Sequence, residues 1–179
     1  MTTATSLYGQ SLYDLAAEEG FSEEILKQME AVDGIFRDNP DYITLLLEPS
    51  IPRRERLGLL EEAFKDQLHP YLQNFLMILL ENNLLRGFSA CCRTFRTSYN
   101  KDNGIAEAMV TSAVALSEAQ LDALRSKLET MSGKTVHLRQ KVDSSVLGGL
   151  RVEIEGKLLD GTVMGRLADL RKKVSETVL

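Results

Sequence analysis

At Asn100-Lys101-Asp102-Asn103-Gly104 the hydrophobic pattern of this chain changes period. Upstream, apolar residues recur every three or four positions, the repeat of a helix. Downstream they alternate, the repeat of a half-buried strand. One packed layer cannot satisfy both repeats, so the chain divides into two modules, 1–104 and 105–179. Its fold class is α+β, a helical bundle followed by a small α/β module.

In the first module, Tyr8, Leu12, Leu15 and Ala16 mark a helix that Gly20 ends. Ser22 is placed to cap a second helix, with Glu23 and Glu24 at its positive end and Phe21 set to staple onto Leu26. Ile25, Met29, Val32 and Phe36 form its inward stripe. Asn39-Pro40 reads as a cap and a first helical position, opening a short helix over 43–47. Pro49 and Pro52 separate it from a fourth helix with Leu57, Leu60 and Phe64 inward. His69-Pro70 opens a fifth, and its run 75–80 is apolar on every side, as in a central helix. A sixth carries Phe88, Cys91, Cys92, Phe95 and Tyr99 on one face. Six helices with short connections give an antiparallel bundle.

The second module reads β-α-β-β-β-α. A strand over 107–113 alternates weakly. Ser117-Glu118-Ala119-Gln120 is a capping box, with Leu116 and Leu121 at its staple positions. The helix it opens is expected to bury Leu121, Leu124, Leu128 and Met131, and Gly133 to close it. Residues 135–142 alternate cleanly, Val136, Leu138 and Val142 against His137, Arg139 and Lys141. Leu150, Val152 and Ile154 repeat the pattern. Gly156-Lys157 offers a two-residue hairpin turn into Leu158-Leu159. Asp160-Gly161-Thr162 stops that strand, and Thr162 is placed to cap a last helix with Val163, Leu167, Leu170 and Val174 on one stripe.

A net charge of −5 disfavours nucleic acid as a partner. The charge is uneven: acidic residues outnumber basic ones 16 to 10 over 1–104, against 10 to 11 over 105–179. No apolar run approaches the roughly 18 residues of a spanning helix, and MTTATSLYGQ has neither a secretion nor a transit layout. Residence in the cytoplasm is expected. Cys91 and Cys92 are adjacent and have no other cysteine to pair with, which fits a reducing compartment. They read either as packing residues on the sixth helix or as a redox pair, and packing is favoured by their place on the apolar stripe. His69 and His137 read as surface residues. No His or Cys spacing suits zinc, and no acid–base pair can be argued, so catalytic residues, cofactor and metal are all expected to be absent. The pair Gly148-Gly149 precedes a strand and not a helix, which favours a turn or bulge over a phosphate cradle.

Two surfaces carry functional readings. The fifth helix has more apolar side chains than one bundle face buries, Met77 and Ile78 among them. Central burial explains this; so does a groove between helices one and five for an amphipathic helix of another protein. Arg166, Arg171, Lys172 and Lys173 at the chain's end suit an acidic partner, or equally a solvated helix end favourable to its dipole.

Four segments in order resemble one family. Tyr8-Gly9-Gln10-Ser11-Leu12-Tyr13-Asp14-Leu15-Ala16 resembles its early tyrosine-bearing helix. The stretch Asn74-Phe75-Leu76-Met77-Ile78-Leu79-Leu80-Glu81-Asn82-Asn83-Leu84-Leu85 is similar to its NFLxLLxENxRL helix. Val110-Thr111-Ser112-Ala113 with Leu116-Ser117-Glu118-Ala119-Gln120-Leu121 is similar to VTSAxxLSxxQL. Gly148-Gly149 followed by Asp160-Gly161-Thr162-Val163-Met164-Gly165-Arg166-Leu167 resembles its most distinctive run. The family is the delta subunit of the F-type ATP synthase, the counterpart of the mitochondrial oligomycin-sensitivity-conferring protein. Leu84 stands where the family has an arginine, Glu155-Gly156 where it has Gly-Asp, and Thr162 where it has serine.

The resemblance implies a non-catalytic stator part at the cytoplasmic face of the bacterial membrane, held there through the complex in one copy. The helical module is expected to hold the amino-terminal helix of an α subunit in a groove of Tyr8, Ser11, Leu12, Met77, Ile78 and Glu81. The second module is expected to hold the b subunits of the peripheral stalk, with the β subunit a further candidate partner. Gly148, Gly149, Asp160, Gly161, Gly165 and Arg166 are expected to be structural. The competing reading is a regulator that senses a small molecule through the α/β module.

Overall fold

The computed structural model describes residues 2–65, 67–146 and 148–162, the side chains of 2–4 excepted. It divides into two compact units, Met1–Tyr99 and Asn100–Leu179, each with its own core. The class is mixed α+β.

In the first unit, α1 (Thr2–Glu19), α2 (Ser22–Asp38), α3 (Pro40–Leu46), α4 (Arg53–Ala63), α5 (Pro70–Glu81) and α6 (Phe88–Asp102) follow in order, with a 3-10 turn at Leu85–Gly87 before α6. The stripe of α2 is buried as its spacing requires: Ile25, Met29, Val32 and Phe36 are all within 4% of full burial. Each such side chain contributes roughly 1.5–3 kcal/mol by leaving water. Phe36 is the hub of an aromatic cluster, edge-on to Phe64 and Phe88 and tilted against Tyr42.

Helix α1 docks on α6 through an absence of side chain. A Cβ on Gly9 would lie 2.7 Å from the carbonyl oxygen of Cys91, and one on Gly87 would lie 2.3 Å from Cγ2 of Thr5. The same crossing is held by an edge-on contact of Tyr13 with Phe95 and by the Ser98 hydroxyl donating to Gln10.

Two local expectations in this unit fail for identifiable reasons. Ser22 does not cap α2; it is the first helical residue, and Phe21 stands at the cap without a side-chain bond. The Phe21 ring packs on His69 and Tyr71, at centroid distances of 4.5 and 5.7 Å. Asn39 does not cap α3 by its side chain, because its amide donates backwards to the Ile35 carbonyl and so closes α2. Leu15, one of the four residues that mark α1, is 39% exposed.

In the second unit, β1 (Ile105–Ser112), α7 (Glu118–Ser132), β2 (Thr135–Val142), β3 (Leu150–Ile154) and β4 (Lys157–Asp160) build one sheet in the order β2-β1-β3-β4 with a helix on it. The β1–β2 pair is parallel, joined through α7, and the other two pairs are antiparallel. Ala106, Ala108, Val110, Val136, Val152 and Ile154 share the face that meets Leu128 of α7. The capping box forms in both halves: the Gln120 N–H donates to the Ser117 hydroxyl, and the Ser117 N–H donates to the Gln120 side chain. Gly133 ends α7 in the left-handed region at φ 68°. Met131 and Val142, expected inside, are 65% and 53% exposed, because each lies at the end of its element. The last helix expected from the sequence lies outside the described residues.

Every aromatic ring of Phe or Tyr in this chain lies at or before Tyr99. The sheet core is therefore wholly aliphatic. That makes it the thinner of the two cores.

Candidate functional site

The expected groove residues divide by burial. On α1, Ser11 is exposed, Tyr8 is half-buried against the core, and Leu12 is 5% exposed. Leu12 thus packs inward, and as a surface contact that reading is corrected: the helical repeat that places it one turn from Tyr8 also turns it toward the core. The apolar residues that α1 does present are Leu7, 68% exposed, and Leu15, on either side of Ser11 at i−4 and i+4. Sequence reasoning used Leu15 only to mark the helix and passed over Leu7. The Ser11 hydroxyl donates to the Leu7 carbonyl, which keeps it within the helix.

On α5, Phe75, Leu76, Leu79 and Leu80 are buried and Met77 is half-buried. Ile78 alone among the run 75–80 is exposed, at 43%. Asn74, Ile78 and Glu81 line one exposed stripe at i, i+4 and i+7. Glu81 is already engaged, its carboxylate 2.5 Å from the Arg53 guanidinium of α4. The start of α5 is fixed by His69, whose Nδ1 accepts the Tyr71 N–H, and by the Phe21–Tyr71 stack.

In the second unit the two halves of the glycine-rich motif meet. Gly148 and Gly149 both hold left-handed backbones, φ 72° and 84°. A Cβ on Gly149 would lie 2.5 Å from the Gly161 carbonyl oxygen and 2.8 Å from the Thr162 Cα. The Gly161 N–H donates to the Leu150 carbonyl at 2.9 Å, sealing the approach. Asp160 organises the turn: one carboxylate oxygen accepts the Thr162 hydroxyl at 2.6 Å and the Thr162 N–H at 2.9 Å. Those bonds, the hydroxyl first, hold the Asp160 carboxyl below its ordinary pKa, with a smaller contribution from the nearby Arg151 guanidinium. Thr162 is 2% exposed. Gly165 and Arg166, like Arg171, Lys172 and Lys173, lie outside the described residues.

The hairpin turn is Glu155-Gly156, not Gly156-Lys157, since Ile154 pairs directly with Lys157. Both turn residues have positive φ, 48° and 75°, the requirement of the mirror-image turn that follows strand twist. Glu155 accepts this conformation without being glycine, which is why spacing alone set the turn one residue late.

Cys91 and Cys92 are buried and donate to the carbonyls of Thr5 and Met29. Burial pushes the Cys91 thiol up to about 11 and the Cys92 thiol higher still, so both are protonated and poor nucleophiles near neutral pH. Their role is packing. His137 is exposed on the outer sheet face. Leu84, at the family's arginine position, packs on the helical core. No helix among the described residues is long and apolar enough to cross a membrane.

Comparison with known proteins gives a consistent result. A family model described as the ATP synthase delta (OSCP) subunit matches residues 4–174. The ATP synthase subunit delta of Lacticaseibacillus casei is 32% identical over 165 residues, spanning 92% of this chain and 91% of its own. That of Clostridioides difficile is 28% identical over 172 residues, spanning 96% and 95%. Among solved structures, a chain of the Toxoplasma gondii mitochondrial ATP synthase hexamer superposes with a TM-score of 0.77 at 18% identity, over 96% of this chain and 97% of that one, which shows a common fold.

Proposed function

Since the chain belongs to the ATP synthase delta (OSCP) family and is a non-catalytic stator subunit of the F-type ATP synthase, we propose that it ties the catalytic head to the peripheral stalk, one unit to each. The helical unit, read as an antiparallel six-helix bundle, holds the amino-terminal helix of an α subunit along α1 and α5. The sheet unit holds the ends of the b subunits. One copy per complex suffices, at the cytoplasmic face of the bacterial membrane.

The observation that carries the head-binding reading is the exposure of Ile78 within an otherwise buried apolar run. An amphipathic helix of a partner would cover it with its apolar face. Leu7 and Leu15 extend the same chemistry along α1. The stack of Phe21 on Tyr71 gives the two helices a common origin, joining the chain just after α1 to the start of α5. From those rings, Ser11 lies ten residues back along α1 and Glu81 ten residues forward along α5. At about 1.5 Å per residue both stand about 15 Å from that end along their own helices.

A stator part must dissociate slowly under load. Two linked modules achieve this through effective concentration, each contact being moderate by itself. Titrating the full chain with an α-subunit amino-terminal peptide by calorimetry tests the reading. Binding at micromolar concentration is expected, with Ile78→Glu weakening it at least about tenfold, since a buried unpaired carboxylate costs more than about 1.4 kcal/mol. Equal binding by the folded variant would remove α5 from the interface.

A further inference from the structure

The exposed surface of α1 carries an electrostatic anomaly. Its described sequence contains Asp14, Glu18 and Glu19 and no lysine or arginine. All three acids are exposed and lie in its C-terminal half. That is the negative end of the helix dipole, where carboxylates are disfavoured and cations are the usual complement. Asp14 accepts one bond from the Gln10 amide at 2.7 Å. No ion pair reaches Asp14, Glu18 or Glu19 among the described residues. By contrast, α2 pairs Lys27 with Glu23 and Arg37 with Asp33, and α5 has Glu81 neutralised by Arg53. The acids of α1, which have no ion pair among the described residues, lie beside the apolar stripe Leu7–Ser11–Leu15.

At about 100° per residue, Leu7, Ser11, Leu15 and Glu18 fall within one third of the helix circumference, with Asp14 at its margin. An amphipathic helix laid on the leucines therefore runs its polar border along these carboxylates.

We infer that the helix accepted by α1 is cationic at one end, its lysines or arginines lying against Asp14, Glu18 and Glu19 toward the Gly20 corner. This rests on the head-binding reading above and adds partner chemistry and polarity to it. The cations complete what the fold leaves open, relieving both mutual repulsion and the clash with the dipole. Leu7 and Leu15 supply contact area; the acids supply orientation, because reversing the helix would carry its cations to the Leu7 end, away from the acids. The arrangement also predicts a trade: neutralising the acids should make the free chain more stable and the complex weaker.

The experiment uses the full chain, the α-subunit amino-terminal peptide, and the same peptide with its lysines and arginines replaced by glutamine. Calorimetric titrations at about 50 and about 500 mM NaCl are compared for wild type and for Glu18→Gln/Glu19→Gln. Expected are a loss of affinity of about fivefold in wild type at the higher salt, a similar loss in the double variant at low salt, and a flat salt response in that variant. Melting of the free double variant should rise above wild type. The glutamine-substituted peptide should bind both proteins equally. Salt-independent binding, or an unchanged affinity of the double variant while Ile78→Glu still abolishes binding, overturns the inference and leaves the head-binding reading standing. Failure of the unsubstituted peptide to bind the folded wild-type chain overturns both.

Discussion

Gly149→Ala should be among the most damaging single-methyl additions in the sheet unit, and its cost can be resolved into two parts by comparison with two neighbours. Gly133, Gly149 and Gly156 all hold left-handed backbones, at φ 68°, 84° and 75°. Alanine at any of them incurs about 1–2 kcal/mol of backbone strain. Around Gly133 and Gly156 nothing lies within 4 Å of the added carbon, so strain is the whole cost. At Gly149 the carbon would sit 2.5 Å from the Gly161 carbonyl oxygen and 2.8 Å from the Thr162 Cα. Both are main-chain atoms held by the Gly161–Leu150 bond, so relief requires the β3–β4 region to move. Overpacking of this kind adds roughly 1–3 kcal/mol, giving about 2–5 kcal/mol in all. A unit of this size holds on the order of 4–12 kcal/mol in total, and its aliphatic core puts it toward the low end. Hydrogen exchange with mass spectrometry, read on β1 and β3 amides, isolates this unit. Tyrosine emission serves as an internal reference, since the five tyrosines all lie in the helical unit. The expected order of protection is wild type, then Gly133→Ala and Gly156→Ala together, then Gly149→Ala well below. If Gly149→Ala exchanges no faster than Gly156→Ala, the close approach has no energetic weight and the reasoning fails.

Gly34→Ala in mid-α2, where no atom stands within 4 Å, should stabilise the helical unit by about 1 kcal/mol, seen as a higher urea midpoint by tyrosine emission. Ser117→Ala removes one half of the capping box and should cost the sheet unit about 1 kcal/mol, read as faster exchange at the start of α7. For Cys91, burial raises the folded pKa to about 11 against about 8.5 unfolded, so its stabilisation is intact below about pH 8.5 and is lost as pH rises toward 11. Wild type should therefore lose more stability than Cys91→Ala between pH 8 and 10.5 in urea titrations, and parallel curves would count against a buried thiol.

What was legible in the sequence was local. Ser117, Gln120 and Gly133 declare α7 because a cap is made by residues three or four apart, and the stripe of α2 declares its inward face. The hairpin was displaced by one residue because Glu155 adopts a positive φ that residue type does not advertise. Met131 was misplaced because periodicity identifies a stripe but not where its covering neighbour stops. At the candidate groove, Ile78 followed from excess apolarity on α5, whereas Leu7 had no periodic signal to single it out. Nor could spacing show that α2 would start one residue early, with Phe21 at its cap and stacked on residues far along the chain.

The contact between Gly149 and the Gly161 carbonyl has a genetic corollary. When a side chain crowds its neighbour, a second mutation that shrinks the neighbour can restore the fit, and the two positions drift as a pair. Here the crowded neighbour is main chain, which no codon can make smaller. A defect at Gly149 should therefore yield no intragenic suppressor at positions 160–162, and selections for revertants should return chiefly the original glycine.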